Sequence, residues 1–212
     1  MPEPTDRRTR KRLATRQTIS DAATRLFWER GFDAVTVDEI AAAADVGRMT
    51  VFNHFPRKED MFFDRDEEGR AALRDALRHR DPAVAPIETL RLLAHRLVAD
   101  RAPYVRFSAE SQHFVRTIEG SETLKARARA IRDELAQIVA AALAGCVGRP
   151  SGDADARLAA ALLLATWTTA FIEAHQSYQQ DRNAARAETL FLAIIDQGTG
   201  GVAAALAGTP YA

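Results

Sequence analysis

The chain has 212 residues, of which 47% are hydrophobic, 7% aromatic and 27% charged, as is typical of a soluble globular protein with one or two domains. Its 29 basic and 29 acidic residues give a formal net charge of +0, so an acidic partner must be held by a local basic patch. The single cysteine, Cys146, excludes an intramolecular disulfide and a four-cysteine zinc site. Apolar residues recur at helical spacing, which predicts an all-α fold.

The N-terminus is polar and basic, and it lacks the apolar core of a secretory signal. We expect a disordered arm over residues 1–10 and an amphipathic helix over residues 11–30 that ends at Gly31. No acidic residue interrupts a run of six cations: Arg7, Arg8, Arg10, Lys11, Arg12 and Arg16. Alone, such a run is an ordinary solvated tail. Beside a DNA-binding motif, it is better interpreted as an arm that contacts phosphates.

The most informative pattern is residues 36–58, TVDEIAAAADVGRMTVFNHFPRK. It predicts two short helices joined by a three-residue turn. Thr36 and Glu39 have the spacing of a capping box at the start of the first helix. The second helix would bury Val51 and Phe55 and direct its polar residues outward. This is the layout of a helix-turn-helix whose second helix enters the DNA major groove.

The outward residues of the second helix have side chains suited to base edges. Arg48 can donate two hydrogen bonds to guanine, and Asn53 can pair with adenine. Met49 or Thr50 can contact a thymine methyl group, although ordinary surface packing would also explain Met49. Lys58, at the start of the next helix, is a candidate phosphate contact.

The remaining helices are predicted from periodicity and from the positions of proline and glycine. Pro56 ends the second helix, and a long polar helix follows over residues 57–79; whether Gly69 acts as a hinge in it stays open. Further helices are predicted at 87–101, 104–118, 121–144, 153–180 and 184–197, with an interior linker at 145–152. Three glycines after residue 197 are expected to weaken or end the last long helix before a short helix near Leu206. The total is about nine helices, in domains 1–56 and 57–212.

Two segments resemble the TetR family of transcriptional regulators: the pattern IxxAAxxLFxxxGF at residues 19–32, and residues 36–60. The resemblance implies an N-terminal three-helix helix-turn-helix domain followed by a helical ligand-binding and dimerisation domain. It also implies a homodimer that binds a palindromic operator in double-stranded DNA and responds to a small-molecule effector. A cytoplasmic location is expected because the sequence shows neither a secretory signal nor a membrane span. Most members are repressors, some are activators, and no cofactor is expected.

By position, the resemblance assigns DNA contacts to Thr36, Arg48, Met49, Thr50, Phe52, Asn53, His54 and Lys58. Thr36, Phe52, His54 and Lys58 occupy positions that usually touch the DNA backbone. The family usually has tyrosine at position 52, and Phe52 lacks the hydroxyl for a polar phosphate contact. Gly47 replaces a frequent serine cap, so the start of the recognition helix is expected to be less firmly held.

The last two long helices of the family pair across a two-fold axis, which assigns the dimer contact to residues 153–180 and 184–197. Two apolar stripes agree with this assignment: Leu158, Leu162, Ala165, Thr169 and Ile172 on one helix, and Leu190, Phe191, Ile194 and Ile195 on the other. Packing within one subunit is the alternative. Candidate effector-binding residues are Phe107, His113, Phe114, Trp167, Phe171 and His175, which favour a lipophilic or amphipathic ligand. Each of them would also suit an ordinary core.

Competing functions have less support from the sequence. The five histidines show no metal-binding spacing, and no nucleophile or phosphate-loop motif occurs, so neither catalytic residues nor metal ligands are predicted. The longest dense apolar run, residues 158–171, is too short to span a bilayer. The remaining alternative is a helical carrier or interaction module without sequence-specific DNA binding, which the neutral net charge and Phe52 favour.

Overall fold

The structure, a computed structural model, describes residues 7–212, and all the regular elements in this range are helical. The prediction of an all-α fold is confirmed. The predicted arm at residues 1–6 lies outside the described residues, and residues 7–10 already belong to the first helix. A 3-10 turn covers Pro103–Val105, and the α-helices are α1 Arg7–Arg30, α2 Val37–Ala43, α3 Arg48–His54, α4 Lys58–Phe62, α5 Asp66–Arg78, α6 Pro86–Ala99, α7 Ala109–Gly120, α8 Glu122–Cys146, α9 Ala154–Asp181 and α10 Ala184–Ala205.

The chain divides into two compact units. The first comprises the residues up to Asp64 together with Thr117–Arg127. The second comprises Arg65–Arg116 and Ala128–Ala212. Helices α7 and α8 therefore contribute residues to both units, and α4 clusters with the first unit, whereas the predicted boundary was at residue 56.

The core of the first unit is built from the inward faces of α1 to α4. Phe27 stacks on Phe32 with ring centroids 5.0 Å apart, and Phe62 lies 6.2 Å from Phe27. Residues 117–127 join this unit through two polar contacts. The Ser121 hydroxyl donates to Asp33 at 3.0 Å, and the Arg127 guanidinium donates to Asp60 at 3.0 Å. Both contacts bring residues distant in sequence against the helix-turn-helix scaffold.

The core of the second unit is organised around the antiparallel hairpin of α9 and α10. Fully buried residues from both helices meet there, including Leu163, Phe191 and Ile195. Phe191 and Ile195, which the sequence assigned to a dimer stripe, are thus buried within the subunit, and Leu190 and Ile194 are half-buried. On α9, in contrast, Leu158 and Ile172 remain exposed.

The predicted long helix over residues 57–79 is wrong, because the chain breaks between α4 and α5. No glycine or proline marks the break, so no local signal predicts it. The carboxylate of Asp64 instead accepts a short hydrogen bond from the Ser20 hydroxyl in α1. Arg65 then pairs with Glu68, one turn into α5, at 3.1 Å. Tertiary contacts here override local helix propensity.

The segment after Pro103 also differs from its prediction. The expected helix at 104–118 is replaced by the short 3-10 turn and by α7, which starts only at Ala109. Ser108 and Ser111 fix this start, because each backbone N–H donates to the hydroxyl of the other, at 2.8 and 3.2 Å. The serine pair is a local helix-capping signal, which hydrophobic periodicity does not reveal.

The glycines after residue 197 do not end the last helix, because α10 continues to Ala205. Gly198 instead packs directly against Thr166 of α9. A Cβ atom added there would lie 2.3 Å from Cγ2 of Thr166. The Thr166 hydroxyl is itself hydrogen-bonded to Leu162 O at 3.0 Å. Close helix packing therefore compensates for the low helix propensity of glycine.

Helix α9 is the described helix that is long and apolar enough to cross a bilayer by length and composition. It has 28 residues, so the sequence expectation that no segment was long enough is corrected. Its buried residues, among them Ala159, Leu163 and Ala170, belong to the hydrophobic core of the second unit. We therefore interpret α9 as a core helix.

We expect Gly198→Ala to lower the free energy of unfolding by about 1–3 kcal/mol, because the added methyl group overlaps the Thr166 side chain. The matched control is Gly69→Ala in α5, where a Cβ atom would meet nothing within 4 Å. That substitution should stabilise the protein by about 0.5–1 kcal/mol through helix propensity. Urea denaturation of the three proteins measures both effects. Equal shifts for the two substitutions would contradict the close contact at Gly198.

Candidate nucleic-acid interface and effector site

The start of α2 is fixed by the predicted capping box, which the structure confirms. The Glu39 N–H donates to the Thr36 hydroxyl at 3.3 Å, and the Thr36 N–H donates to the Glu39 carboxylate at 2.8 Å. Hydrogen bonds from the Thr36 backbone, then from its hydroxyl and from Arg30, lower the pKa of Glu39 to about 2. The flanking Val35 and Ile40 are buried, as a hydrophobic staple requires.

Helix α3 buries one face and presents the other to solvent. Val51 and the following Phe55 are completely buried, whereas Met49 is 71% exposed. Its N-cap, Gly47, makes no side-chain hydrogen bond, as its lack of a side chain predicts. The outward positions are those chosen from the sequence: Arg48, Met49 and Asn53 are exposed, and Thr50, Phe52 and His54 are half-buried.

Arg48 is held by two neighbours in the first unit. Its Nη1 donates to Oδ2 of Asp38, in the first turn of α2, at 2.8 Å. Its guanidinium also lies over the Phe52 ring, one turn along α3, at 5.6 Å from the ring centroid. Both charged side chains stay largely exposed, at 58% and 63%. The candidate base-reading arginine therefore has a defined direction.

The other end of α3 is held by the basic run on α1. Arg16 donates to the His54 carbonyl at 2.5 Å, and its guanidinium stacks 3.9 Å from the Phe55 ring centroid. A free carbonyl at the helix C-terminus is thus satisfied by a cation. Burial, then the charges of Arg12 and Arg16, lower the pKa of His54. The lowered pKa favours the neutral ring of His54 in the protein without DNA.

Lys58 is more constrained than its predicted role suggested. Its ammonium donates to the carbonyls of Phe32 and Val35, both at 2.8 Å, and lies 4.2 Å from the Phe32 ring centroid. Burial lowers its pKa. A lysine ammonium has three donors, so one N–H is left for a phosphate. The position of this charge is fixed by the turn between α1 and α2.

In the second unit, the structure brings four of the six candidate effector residues together. Phe107 and Phe171 lie 5.8 and 5.0 Å from the buried ring of Phe191, measured between ring centroids. Trp167 lies 5.8 Å from the same ring, and His175 stacks edge-on against Phe107 at 5.0 Å. Phe191 is therefore the centre of an aromatic cluster of Phe107, Trp167, Phe171, His175 and Phe191.

Three polar atoms of the second unit are buried without a hydrogen bond among the described residues: Nδ1 of His175, Oε1 of Gln112 and, on α10, Oγ1 of Thr199. Burial lowers the pKa of His175 to about 4, so its ring is neutral at physiological pH. Gln112 was not predicted, because a glutamine between polar neighbours gives no sequence signal of burial. Of the remaining candidates, His113 is exposed and Phe114 is half-buried.

A separate cleft of about 460 Å³ lies between α6 and α10 in the same unit. Its charges are already paired. Arg91 donates to Glu88 at 2.7 Å and to Asp196 at 2.8 Å, and Asp196 also contacts His95. The cleft therefore presents little uncompensated charge to a ligand. The described residues contain no group of three or more side chains suited to hold a metal ion.

Comparisons with known proteins agree with this geometry. Residues 19–64 match the model of the bacterial regulatory proteins of the tetR family. The chain is 35% identical over 68 residues to an uncharacterized HTH-type transcriptional regulator, YhgD, of Bacillus subtilis, and 46% identical over 48 residues to the HTH-type transcriptional regulator AcrR of Shigella flexneri. These matches cover 32% and 23% of this chain and 34% and 22% of those two relatives.

Solved structures extend the comparison over most of the chain. A TetR-family regulator from Mesorhizobium loti matches 92% of this chain and 97% of its own, with a TM-score of 0.57 and 22% identity, which shows the fold. FadR of Thermus thermophilus, a TetR family transcriptional repressor in complex with lauroyl-CoA, matches 86% of this chain and 94% of its own, with a TM-score of 0.50 and 26% identity. The capped α2 and the solvent-facing α3 define a helix-turn-helix protein. Residues 19–64 therefore form a helix-turn-helix domain of the TetR-family type.

The neutral ring of His175, which is half-buried with its Nδ1 fully buried, predicts a pH dependence of stability. Its pKa is depressed in the folded state, so its contribution is present above the ordinary value of 6.5 and is lost as the pH falls towards about 4. We expect the free energy of unfolding to decline less steeply from pH 6.5 to 4 in His175→Phe than in the wild type. Denaturation at a series of pH values measures the difference, with exposed His113→Phe as the control. Identical profiles for the wild type and His175→Phe would contradict the burial of a neutral histidine.

Proposed function

We propose that the protein is a ligand-responsive repressor that binds a palindromic operator as a homodimer in the cytoplasm. The observation that carries the proposal is the geometry of α3. It is supported from beneath by Val51 and Phe55 and presents Arg48, Met49 and Asn53 to solvent. A short helix that shows arginine, asparagine and an apolar side chain on one face matches the donor, acceptor and methyl pattern of the major groove.

The backbone contacts of this proposal come from fixed charges around α3. Thr36 lies at the N-terminus of α2, His54 at the end of α3, and Lys58 at the start of α4. The exposed cations of α1 supply further positive charge to a chain whose net charge is zero. At physiological ionic strength the screening length is about 8 Å, so charges farther than this from a phosphate contribute little to binding. Phosphate binding therefore depends on the local charge and not on the net charge of the chain.

The dimer contact is proposed along the exposed face of α9. Leu158 and Ile172 are 47% and 51% exposed, although both are large aliphatic residues on a helix whose other face is core. Between them, Ala161, Ala165 and Thr169 are also exposed at helical spacing. A second copy that covers this stripe would bury it across a two-fold axis. Two recognition helices about 34–36 Å apart would then meet successive turns of the major groove.

The effector is proposed to be lipophilic or amphipathic and to bind at the aromatic cluster around Phe191. Aromatic and aliphatic walls with a few polar atoms are typical of small-molecule sites. The unsatisfied Nδ1 of His175 and Oε1 of Gln112 offer partners for a polar group of such a ligand. FadR, a TetR family repressor of similar fold, is complexed with lauroyl-CoA, which supports an acyl ligand here. A ligand that prefers the conformer unable to bind DNA would release the operator.

We expect Arg48→Ala and Lys58→Met to weaken DNA binding in different ways. Arg48→Ala should remove about 1–3 kcal/mol of discrimination at one base pair. Lys58→Met should weaken all duplexes evenly and reduce the salt dependence by about one phosphate contact. Anisotropy titrations at several salt concentrations measure both. Equal losses on every sequence for the two variants would contradict the role of Arg48 in reading a base.

We expect Ile172→Glu to dissociate the dimer, because the new carboxylate would be buried without a partner on the two-fold axis. The matched control is Leu92→Glu on α6, where the leucine is 37% exposed and lies off α9. Sedimentation velocity should show a monomer for Ile172→Glu and a dimer for the wild type and Leu92→Glu. A dimer of unchanged affinity in Ile172→Glu would place the contact elsewhere.

A further inference from the structure

We propose that Asp38 is a specificity-determining residue, which acts with Phe52 to hold the Arg48 guanidinium in the orientation that reads one guanine. The inference rests on the proposed function, and it assigns a role to a carboxylate on the first helix of the motif. Asp38 lies outside the recognition helix, and no base-reading role follows from its place in the sequence.

Asp38 contacts one end of the Arg48 guanidinium. The carboxylate accepts from Nη1 of Arg48 at 2.8 Å and leaves the opposite edge of the guanidinium, formed by Nε and Nη2, unoccupied by this contact. That edge carries two parallel N–H donors. Guanine presents two adjacent acceptors, O6 and N7, to the major groove. The edge that Asp38 leaves is therefore the one that fits guanine.

The Phe52 ring lies beside the same guanidinium. Arg48 and Phe52 are one turn apart on α3, and the guanidinium carbon lies 5.6 Å from the ring centroid. An aromatic face attracts an arginine placed over it. Asp38 restrains one end of the guanidinium plane, and Phe52 supports its face. Phe52 lacks the hydroxyl that would donate to a phosphate, but its ring still supports the Arg48 guanidinium.

The negative charge of Asp38 also affects DNA binding. Asp38 is 63% exposed in the first turn of α2, on the same surface as Arg48, where DNA phosphates would be close. A carboxylate in that place opposes binding to every duplex alike. The carboxylate can favour binding only to a sequence that Arg48 reads. By ordering the flexible arginine before binding, it reduces the conformational entropy that Arg48 loses when it contacts guanine. Asp38 is therefore expected to lower affinity in general and to raise discrimination at one base pair.

The test uses full-length protein and the duplex selected by the wild type. The base pair read by Arg48 is the one whose preference Arg48→Ala abolishes, and the readout is the affinity ratio between the selected duplex and one altered at that pair. Asp38→Asn should lower this ratio roughly 3- to 10-fold, as expected when one side chain loses its restraint, and should leave the ratios at other pairs unchanged. In an Arg48→Ala background, Asp38→Asn should have no further effect on the ratio.

The matched control is Asp45→Asn, in the turn between α2 and α3. It removes the same charge from the same motif, and the left-handed backbone at this position, with φ of 52°, accepts asparagine. This variant should keep the wild-type ratio. Phe52→Leu should lower the ratio, whereas Phe52→Tyr should preserve it. Unchanged thermal midpoints show that the variants are folded.

Two results would overturn the inference. Asp38→Asn could raise the affinity for both duplexes by the same factor, which would make Asp38 only a source of repulsion. It could also leave the ratio and the affinities unchanged, which would make the ion pair a surface contact without a role in reading. A wild type that binds every duplex alike would instead overturn the proposed function together with this inference.

Discussion

The recognition helix is too short to be stable by itself, and the DNA-binding unit depends on how it is supported. Helix α3 has seven residues, fewer than an isolated helix needs in water. Its stability comes from Val51 and from Phe55 at its C-cap, both completely buried. Because Val51 and Phe55 bury one face of α3 in the core, the opposite face remains exposed to a partner. The same burial fixes the direction of each outward side chain.

Hydrogen bonds from polar side chains also fix the ends of the short helices. The capping box sets the start of α2, and Arg16 satisfies a carbonyl at the end of α3. Lys58 ties the turn before α2 to the start of α4 through two carbonyls. These groups hold backbone and cations in place before DNA arrives. A prearranged surface loses less conformational entropy on binding than a flexible one.

The second unit combines a tight core with incompletely satisfied polar groups. Gly198 lets α10 approach α9 closely, and Phe191 gathers an aromatic cluster from neighbouring helices. Nδ1 of His175 and Oε1 of Gln112 are buried without hydrogen bonds among the described residues, which is costly in a stable core. A ligand that pairs with these atoms would remove that cost. This is the physical basis of the effector site that we propose.

The all-α fold and the local features of the helix-turn-helix were predictable from sequence, because they follow from short-range rules. The Thr36–Glu39 cap, the turn at Gly47 and the periodic burial of Val51 and Phe55 each need only a few residues of context. The break after Phe62 was not predictable, because it depends on the contact of Asp64 with the distant Ser20. The helical continuity through Gly198 was missed for the same reason, since packing against Thr166 outweighs propensity.

The candidate contacts follow the same division. The exposed positions of α3 could be read from its periodicity, and the structure places them on the solvent side. The partners of those residues could not be read, because Asp38 reaches Arg48 from another helix and Lys58 reaches carbonyls of an earlier turn. Likewise, residue type indicates Phe107, Trp167 and Phe171 as ligand contacts, but the sequence places their common neighbour Phe191 in a dimer stripe. Spatial neighbours from separate helices require the tertiary fold.

Selection of duplexes from a random DNA pool, at a stated salt concentration, tests the central claim most directly. The account predicts enrichment of a palindrome whose half-sites lie about one helical turn apart, roughly 10 base pairs from centre to centre. Binding that is only salt-sensitive and enriches no sequence would contradict it. That result would favour a helical carrier in which α3 reads no bases.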